Sequence, residues 1–154
     1  MVADNSVSPT HAVRTVAAGV LALVIGQLVR LPESYWAGIT ALAVIQSTSE
    51  AARPVAIQYF AGTAVGAAVG GWAGAHFPGN AFVFGACALI IGLACAPFRL
   101  ERATFRYSSI TMVIVMLVPS HSGWMQAVHR FLGVSLGIAV GLAVSALWPE
   151  RLKR

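Results

Sequence analysis

The sequence predicts an all-α integral membrane protein, with six transmembrane helices built as two inverted three-helix repeats. Three observations predict it. Of 154 residues, 58% are hydrophobic and 10% charged, against about 25% charged in soluble globular domains. The apolar residues gather into six segments, which at about 20 residues per crossing use about 120 residues and leave no length for a second folded domain. The stretch 39–78, shifted by 71 residues without gaps, matches 110–149 at 13 of 40 positions.

The segments run from His11 to Val29, Tyr35 to Ser49, Pro54 to Phe77, Asn80 to Phe98, Tyr107 to Val118 and Met125 to Trp148. Short Pro-, Gly- and Ser-containing stretches separate them. Residues 1–10 and 150–154 are tails, and the repeats occupy 11–78 and 79–149. Arg14 precedes the first segment as in a signal peptide, but Leu31-Pro32-Glu33-Ser34 offers no small-x-small cleavage site, so the first helix is expected to be retained. With six crossings, one side carries Arg14, Arg53, Arg99, Arg102, Arg106, Arg151, Lys153 and Arg154, and the other only Arg30 and Arg130. Cytoplasmic loops are enriched in Lys and Arg, which places both termini in the cytoplasm.

The net charge of +5 does not signal nucleic acid, because the basic residues flank apolar runs and form no stripe on a soluble surface. Cys87 and Cys95 share one segment. On a helix they stand about 12 Å apart, too far for a disulfide, and read as packing residues. No metal-ligand spacing, phosphate-binding glycine loop or nucleophile with a base is present, so no enzyme, cofactor or metal is expected.

Under the 71-residue shift, Ile39-Thr40 falls on Ile110-Thr111, Phe60 on Phe131 and Pro78 on Pro149. Gly62, Gly66 and Gly70 fall on Gly133, Gly137 and Gly141. Each unit holds three crossings, an odd number, so the second unit enters the membrane from the opposite side. Gly62, Gly66, Gly70 and Gly74, like Gly133, Gly137 and Gly141, make bare helix stripes for close packing, between the third and sixth helices or against a partner subunit.

The second and fifth segments are short, polar and placed alike in the two repeats, the pattern that marks a transporter's binding site. Tyr35, Trp36, Thr40 and Gln46 in one, with Tyr107, Ser108 and Thr111 in the other, are the substrate-binding candidates. The same aromatics also suit interfacial anchors, and the hydroxyls suit bonds to their own backbone. Arg130, on the charge-poor side at the start of the sixth segment, is the candidate anion site, with Arg53 at the opposite face. No Asp or Glu lies inside a crossing, so proton coupling falls to Glu50, His76, His121 or His129.

Tyr35-Trp36-Ala37-Gly38-Ile39-Thr40, then Val44, Gln46, Ser47 and Gly62-Thr63-x-x-Gly66-x-x-x-Gly70, resemble the fusaric acid resistance protein family. Arg130-x-x-Gly133-x-x-x-Gly137 and Trp148-Pro149 resemble its second unit. The family groups with the aromatic acid exporters and is related to plant aluminium-activated malate transporters. The resemblance implies outward transport of organic, often aromatic, carboxylates across an inner membrane. Larger members carry a cytoplasmic domain and a second membrane half that these residues do not include, so a homodimer is the expected substitute and a periplasmic adaptor a candidate partner. Where members often have Arg three residues before the first third-helix glycine, this chain has Tyr59, and Arg130 holds that position in the second unit only. Three functions stay open: a dimeric organic-anion exporter, a passive anion channel, and a non-transporting scaffold or subunit.

Overall fold

The computed structural model describes residues 9–46, 48–95, 101–118 and 123–148. Among them are six α-helices and no strand: α1 (Pro9–Leu28), α2 (Tyr35–Val44), α3 (Ser49–His76), α4 (Ala81–Cys95), α5 (Arg102–Leu117) and α6 (Gly123–Leu147). By length and composition, α1 with 20 residues and α6 with 25 are able to cross a membrane. Arg99, His121, Pro149 and the basic C-terminal residues lie outside the described residues, as does most of the N-terminal tail.

Local chemistry sets the helix ends. Arg30 closes α1 from the left-handed region (φ 56°), while Leu31 N–H donates to Gly26 carbonyl at 2.9 Å and Arg30 N–H to Gln27 carbonyl at 3.0 Å. That is a Schellman arrangement with arginine where glycine is usual. Thr48, extended at φ −129°, caps α3 by accepting from Ala51 N–H at 3.2 Å. Asn80 Oδ1 accepts from the amides of Phe82 and Val83 and starts α4.

Three boundaries differ from the sequence reading. α2 stops at Val44 after 10 residues, about 15 Å, which is half of a bilayer's hydrocarbon thickness. Ile45 is extended there (ψ 130°) although it is apolar. α3 begins at Ser49, five residues before Pro54, because the Thr48 cap supplies the start and proline is tolerated near a helix N-terminus. α5 begins at Arg102, five residues before Tyr107 where the apolar segment starts, and has 16 residues. Its first turns carry Arg102 and Arg106, both exposed, and an apolar window passes over them.

The glycine stripes decide which helices meet. A methyl group at Gly62 would stand 2.6 Å from Thr104 carbonyl oxygen, and one at Gly66 would collide with Ser108 carbonyl oxygen. At Gly70 it would stand 3.1 Å from Met112 Cα. In α6, Gly133 lies against Trp36 Cβ, Gly137 against Ala37 carbonyl and Thr40 Cβ, and Gly141 against Ala41 and Val44. The stripes therefore face α5 and α2, whereas the sequence reading assigned them to contact between the third and sixth helices or to a partner subunit. Contacts climb in the same order along each pair, so α3 runs parallel to α5 and α6 parallel to α2. α3 and α6 do touch, running antiparallel through Gly71 against Trp124 and Ala127, and Gly123 against Gly74 and Ala75. α1 covers α2 with a face of Arg14, Ala18, Gly19, Ala22 and Gly26. α4 is peripheral, with Ile91 its one buried residue and Phe82 91% exposed.

The contacts follow the internal sequence correspondence. The α5 residues Ser108, Met112 and Val115 met by Gly66 and Gly70 are the 71-residue counterparts of Ala37, Ala41 and Val44, met by Gly137 and Gly141.

Adding a methyl group tests these approaches. Gly66→Ala and Gly137→Ala meet backbone that cannot yield locally, and each is expected to cost about 1–3 kcal/mol or more, seen as a lower thermal unfolding midpoint in detergent. Gly85→Ala, with nothing within 4 Å of the added carbon, is expected to leave the midpoint unchanged or raise it.

Candidate functional site

Arg130 is the eighth residue of α6 and only 1% exposed. Its guanidinium carbon lies 3.5 Å from the centre of the Trp36 ring, close enough for a strong cation–π contact. It donates a side-chain hydrogen bond to Tyr59, on α3. Tyr59 in turn packs on Tyr107 of α5, with ring centroids 4.2 Å apart. The result is one continuous stack across four helices: Trp36, Arg130, Tyr59, Tyr107. Trp36 and Tyr107 are counterparts under the 71-residue shift, and so are Tyr59 and Arg130. The same two contacts thus occur in both units, as indole on guanidinium in one and phenol on phenol in the other.

Glycine makes the stack possible. Gly133 lies one turn after Arg130 and lets Trp36 Cβ come within 3.3 Å of where its own Cβ would be; Gly62 does the same for Tyr107 Cβ at 2.8 Å. Trp36 is fixed from its other side, where its indole N–H donates to Glu33 Oε2 at 3.1 Å. Tyr35 packs on Trp36 with centroids 5.2 Å apart, and Arg106 lies 5.6 Å from the Tyr107 ring.

The stack leaves hydrogen-bonding capacity unused. Arg130 Nε and Nη1 have no hydrogen-bond partner among the described residues, and neither do the hydroxyls of Thr40, Thr63, Ser108 and Thr111. All of these side chains are buried. Buried donors in native proteins are ordinarily satisfied, so the region has the chemistry to receive a polar ligand or water.

A second buried arginine has a different setting. Arg14 is fully buried, and donates to Trp148 carbonyl at 2.9 Å and to Gln46 carbonyl. It joins the C-terminal ends of α6 and α2, whose carbonyls a helix cannot satisfy by itself. The sequence reading counted Arg14 as a flanking cytoplasmic charge. Its signal was its place three residues inside the apolar run that begins at His11.

Of the sequence candidates, Tyr35, Trp36, Tyr107 and Arg130 fall at or beside the stack. Thr40, Ser108 and Thr111 are buried on the α2 and α5 faces behind it. Gln46 lies beyond the other end of α2, beside Arg14. Glu50 is exposed in the first turn of α3. His76 is exposed at that helix's last turn, donating from Nδ1 to Trp72 carbonyl at 2.8 Å. His129 is half-buried next to Arg130 in sequence, and Arg53 is exposed. The sequence reading did not nominate Glu33, Tyr59 or Thr63 as site residues. Thr63 adjoins Gly62, and Glu33 is three residues before Trp36, spacings that place them near the predicted site without showing that they face it.

The described residues form an all-helical packing around two buried arginines, with two helices long and apolar enough to cross a membrane by length and composition. Residues 21–150 match the family described as fusaric acid resistance protein-like, and the chain belongs to that family, one of membrane transporters and not enzymes. Comparison with curated proteins and with solved structures gave no match.

The two arginines make separable predictions. Arg14→Met removes charged hydrogen bonds to Gln46 and Trp148, each expected to cost about 1.5–3 kcal/mol, and should lower the thermal midpoint. Arg130→Gln removes two buried donors that lack acceptors together with the cation–π contact to Trp36, and is expected to lower the midpoint less than Arg14→Met.

Proposed function

We propose that the protein exports aromatic or other organic carboxylates across an inner membrane as a homodimer, with both termini cytoplasmic. In this reading the six helices are the membrane-embedded parts of two inverted units, 11–78 and 79–149, and the short α2, with α5 at the matching place, lines the site, as the short or interrupted segments of such carriers do. The observation that carries it is Arg130: a buried cation with two nitrogens that have no hydrogen-bond partner among the described residues, packed on the Trp36 ring. A guanidinium is the side chain best matched to a carboxylate, and Trp36, Tyr59 and Tyr107 offer faces to a planar ring. Thr40, Ser108 and Thr111 supply hydroxyls along the path. An intramembrane charge costs several kcal/mol, which makes a bound anion the favourable complement. The units' correspondence supports the inverted arrangement, since parallel pairs α2–α6 and α3–α5 run in opposite directions.

A second reading, a passive anion channel, is favoured by one observation: Glu50, exposed, is the single acidic residue in the described helices, so no buried carboxylate stands ready for proton coupling. Flux of 4-hydroxybenzoate in proteoliposomes, with and without a proton gradient, separates the two. Accumulation against the substrate gradient is expected for the exporter, and directs attention to Glu50, His76 and His129. Strictly downhill, gradient-indifferent flux supports the channel, and no flux with the purified chain supports a scaffold or a need for a periplasmic adaptor. Arg130→Gln is expected to lower flux by at least about tenfold, equivalent to about 1.4 kcal/mol. Thr111→Ala is expected to reduce it less, with insertion intact for both variants. Unchanged rates in both remove the site.

A further inference from the structure

Arg130 is linked through Trp36 to one carboxylate, that of Glu33. Glu33 is half-buried in the connection between α1 and α2 and touches the stack through Trp36, whose indole N–H it accepts at 3.1 Å. The indole lies directly over the guanidinium. Donation of that N–H to an anion enriches the ring in electron density, which strengthens its hold on the cation below. The backbone shows that this position is imposed. Glu33 sits at φ 58° and Arg30 at φ 56°, a left-handed conformation that non-glycine residues rarely adopt. Two such residues in one short connection set the backbone from which the Glu33 carboxylate reaches the Trp36 indole N–H.

The side chains packed at Arg130 and Trp36 are Tyr35 on α2 and Tyr59 on α3, with Tyr107 of α5 behind Tyr59, and Glu33 is the one carboxylic acid among them. We propose that Glu33 is the resident counter-charge of Arg130 and the latch of a Trp36 lid over it, displaced when an organic carboxylate takes its place. The assignment rests on the anion-binding reading of Arg130 and names the group that regulates access to it. When the site is empty, Glu33 balances the cation through the indole. When a carboxylate binds to the free guanidinium nitrogens, two negative charges face each other across Trp36, and the latch is driven open. The lid then exposes the ligand on the side of the α1–α2 connection, which links loading to opening without any titrating group in the helices.

The test uses the purified full-length protein and benzoate as the probe, with calorimetric binding in detergent and flux in proteoliposomes. Glu33→Gln keeps an oxygen to accept the indole N–H but removes the charge. It is expected to bind benzoate about tenfold tighter and to lower maximal flux, because the ligand no longer meets a competitor or a charge that drives its release. Trp36→Phe keeps a ring over Arg130 and severs the link to Glu33, and is expected to tighten binding in the same direction. Glu33→Asp should return both quantities towards those of the wild type. Unchanged or weaker benzoate binding in Glu33→Gln, while Arg130→Gln abolishes binding, overturns the latch and leaves the anion site standing. No benzoate binding by the wild type, or binding indifferent to Arg130→Gln, overturns the anion site and the latch with it.

Discussion

The closeness of two parallel helix pairs, α6 on α2 and α3 on α5, governs the rest of the molecule. Between apolar helices in a bilayer there is no hydrophobic gain to drive association, so contact depends on packing at short range. Glycine supplies that range: at Gly66 and Gly137 the opposing carbonyl occupies the place a side chain would need. Everything at the stack inherits this spacing. Gly62 and Gly133 each follow a site residue by one turn, and each admits the Cβ of the aromatic residue that packs on it. Larger residues there would push Tyr107 off Tyr59 and Trp36 off Arg130.

The second constraint is the early end of α2. A helix of 10 residues that stops inside an apolar protein leaves carbonyls that lipid cannot satisfy. Arg14, from α1, donates to the carbonyls of Gln46 and Trp148 just past the ends of α2 and α6, and so ties the three helices together at one end. At the other end of the same α2–α6 pair stands Arg130. Two buried arginines thus bracket one helix pair, and their surroundings divide their roles. Arg14 is turned to backbone carbonyls, which makes it a structural brace. Arg130 is turned to ring faces and retains free nitrogens, which makes it a receptor.

Much of this was legible in the sequence, and the limits have physical causes. Apolar segments located all six helices, because length and hydropathy are local properties. Helix ends were less accessible: Ile45 continues the apolar run but is extended, and Pro54 reads as a helix start although the Thr48 cap lies six residues earlier. The glycine stripes announced close packing without naming the partner, since spacing describes one helix face and says nothing of the facing helix. Arg14 and Arg130 were read as charges at helix edges. That follows from counting flanks: a residue a few positions inside an apolar run looks peripheral until neighbouring helices are seen to enclose it. Arg130 was nevertheless singled out, because it falls on the charge-poor side and begins the glycine-striped sixth segment.

That correspondence has a further consequence at the one place where the copies meet themselves. Tyr59 and Arg130 are equivalent positions, and they bond to each other; Phe60 and Phe131 are equivalent too, with ring centroids 5.2 Å apart. A position that touches its own duplicate is subject to a parity rule. Phenylalanine obeys it easily, since like attracts like among rings. A guanidinium cannot: two of them in mutual contact, away from water, would repel by several kcal/mol. A duplicated chain of this design can keep its glycines in pairs and its phenylalanines in pairs, but its central charge must be single. The lack of symmetry at the heart of an otherwise matched pair of units is therefore what electrostatics demands of any self-contacting site that carries a cation.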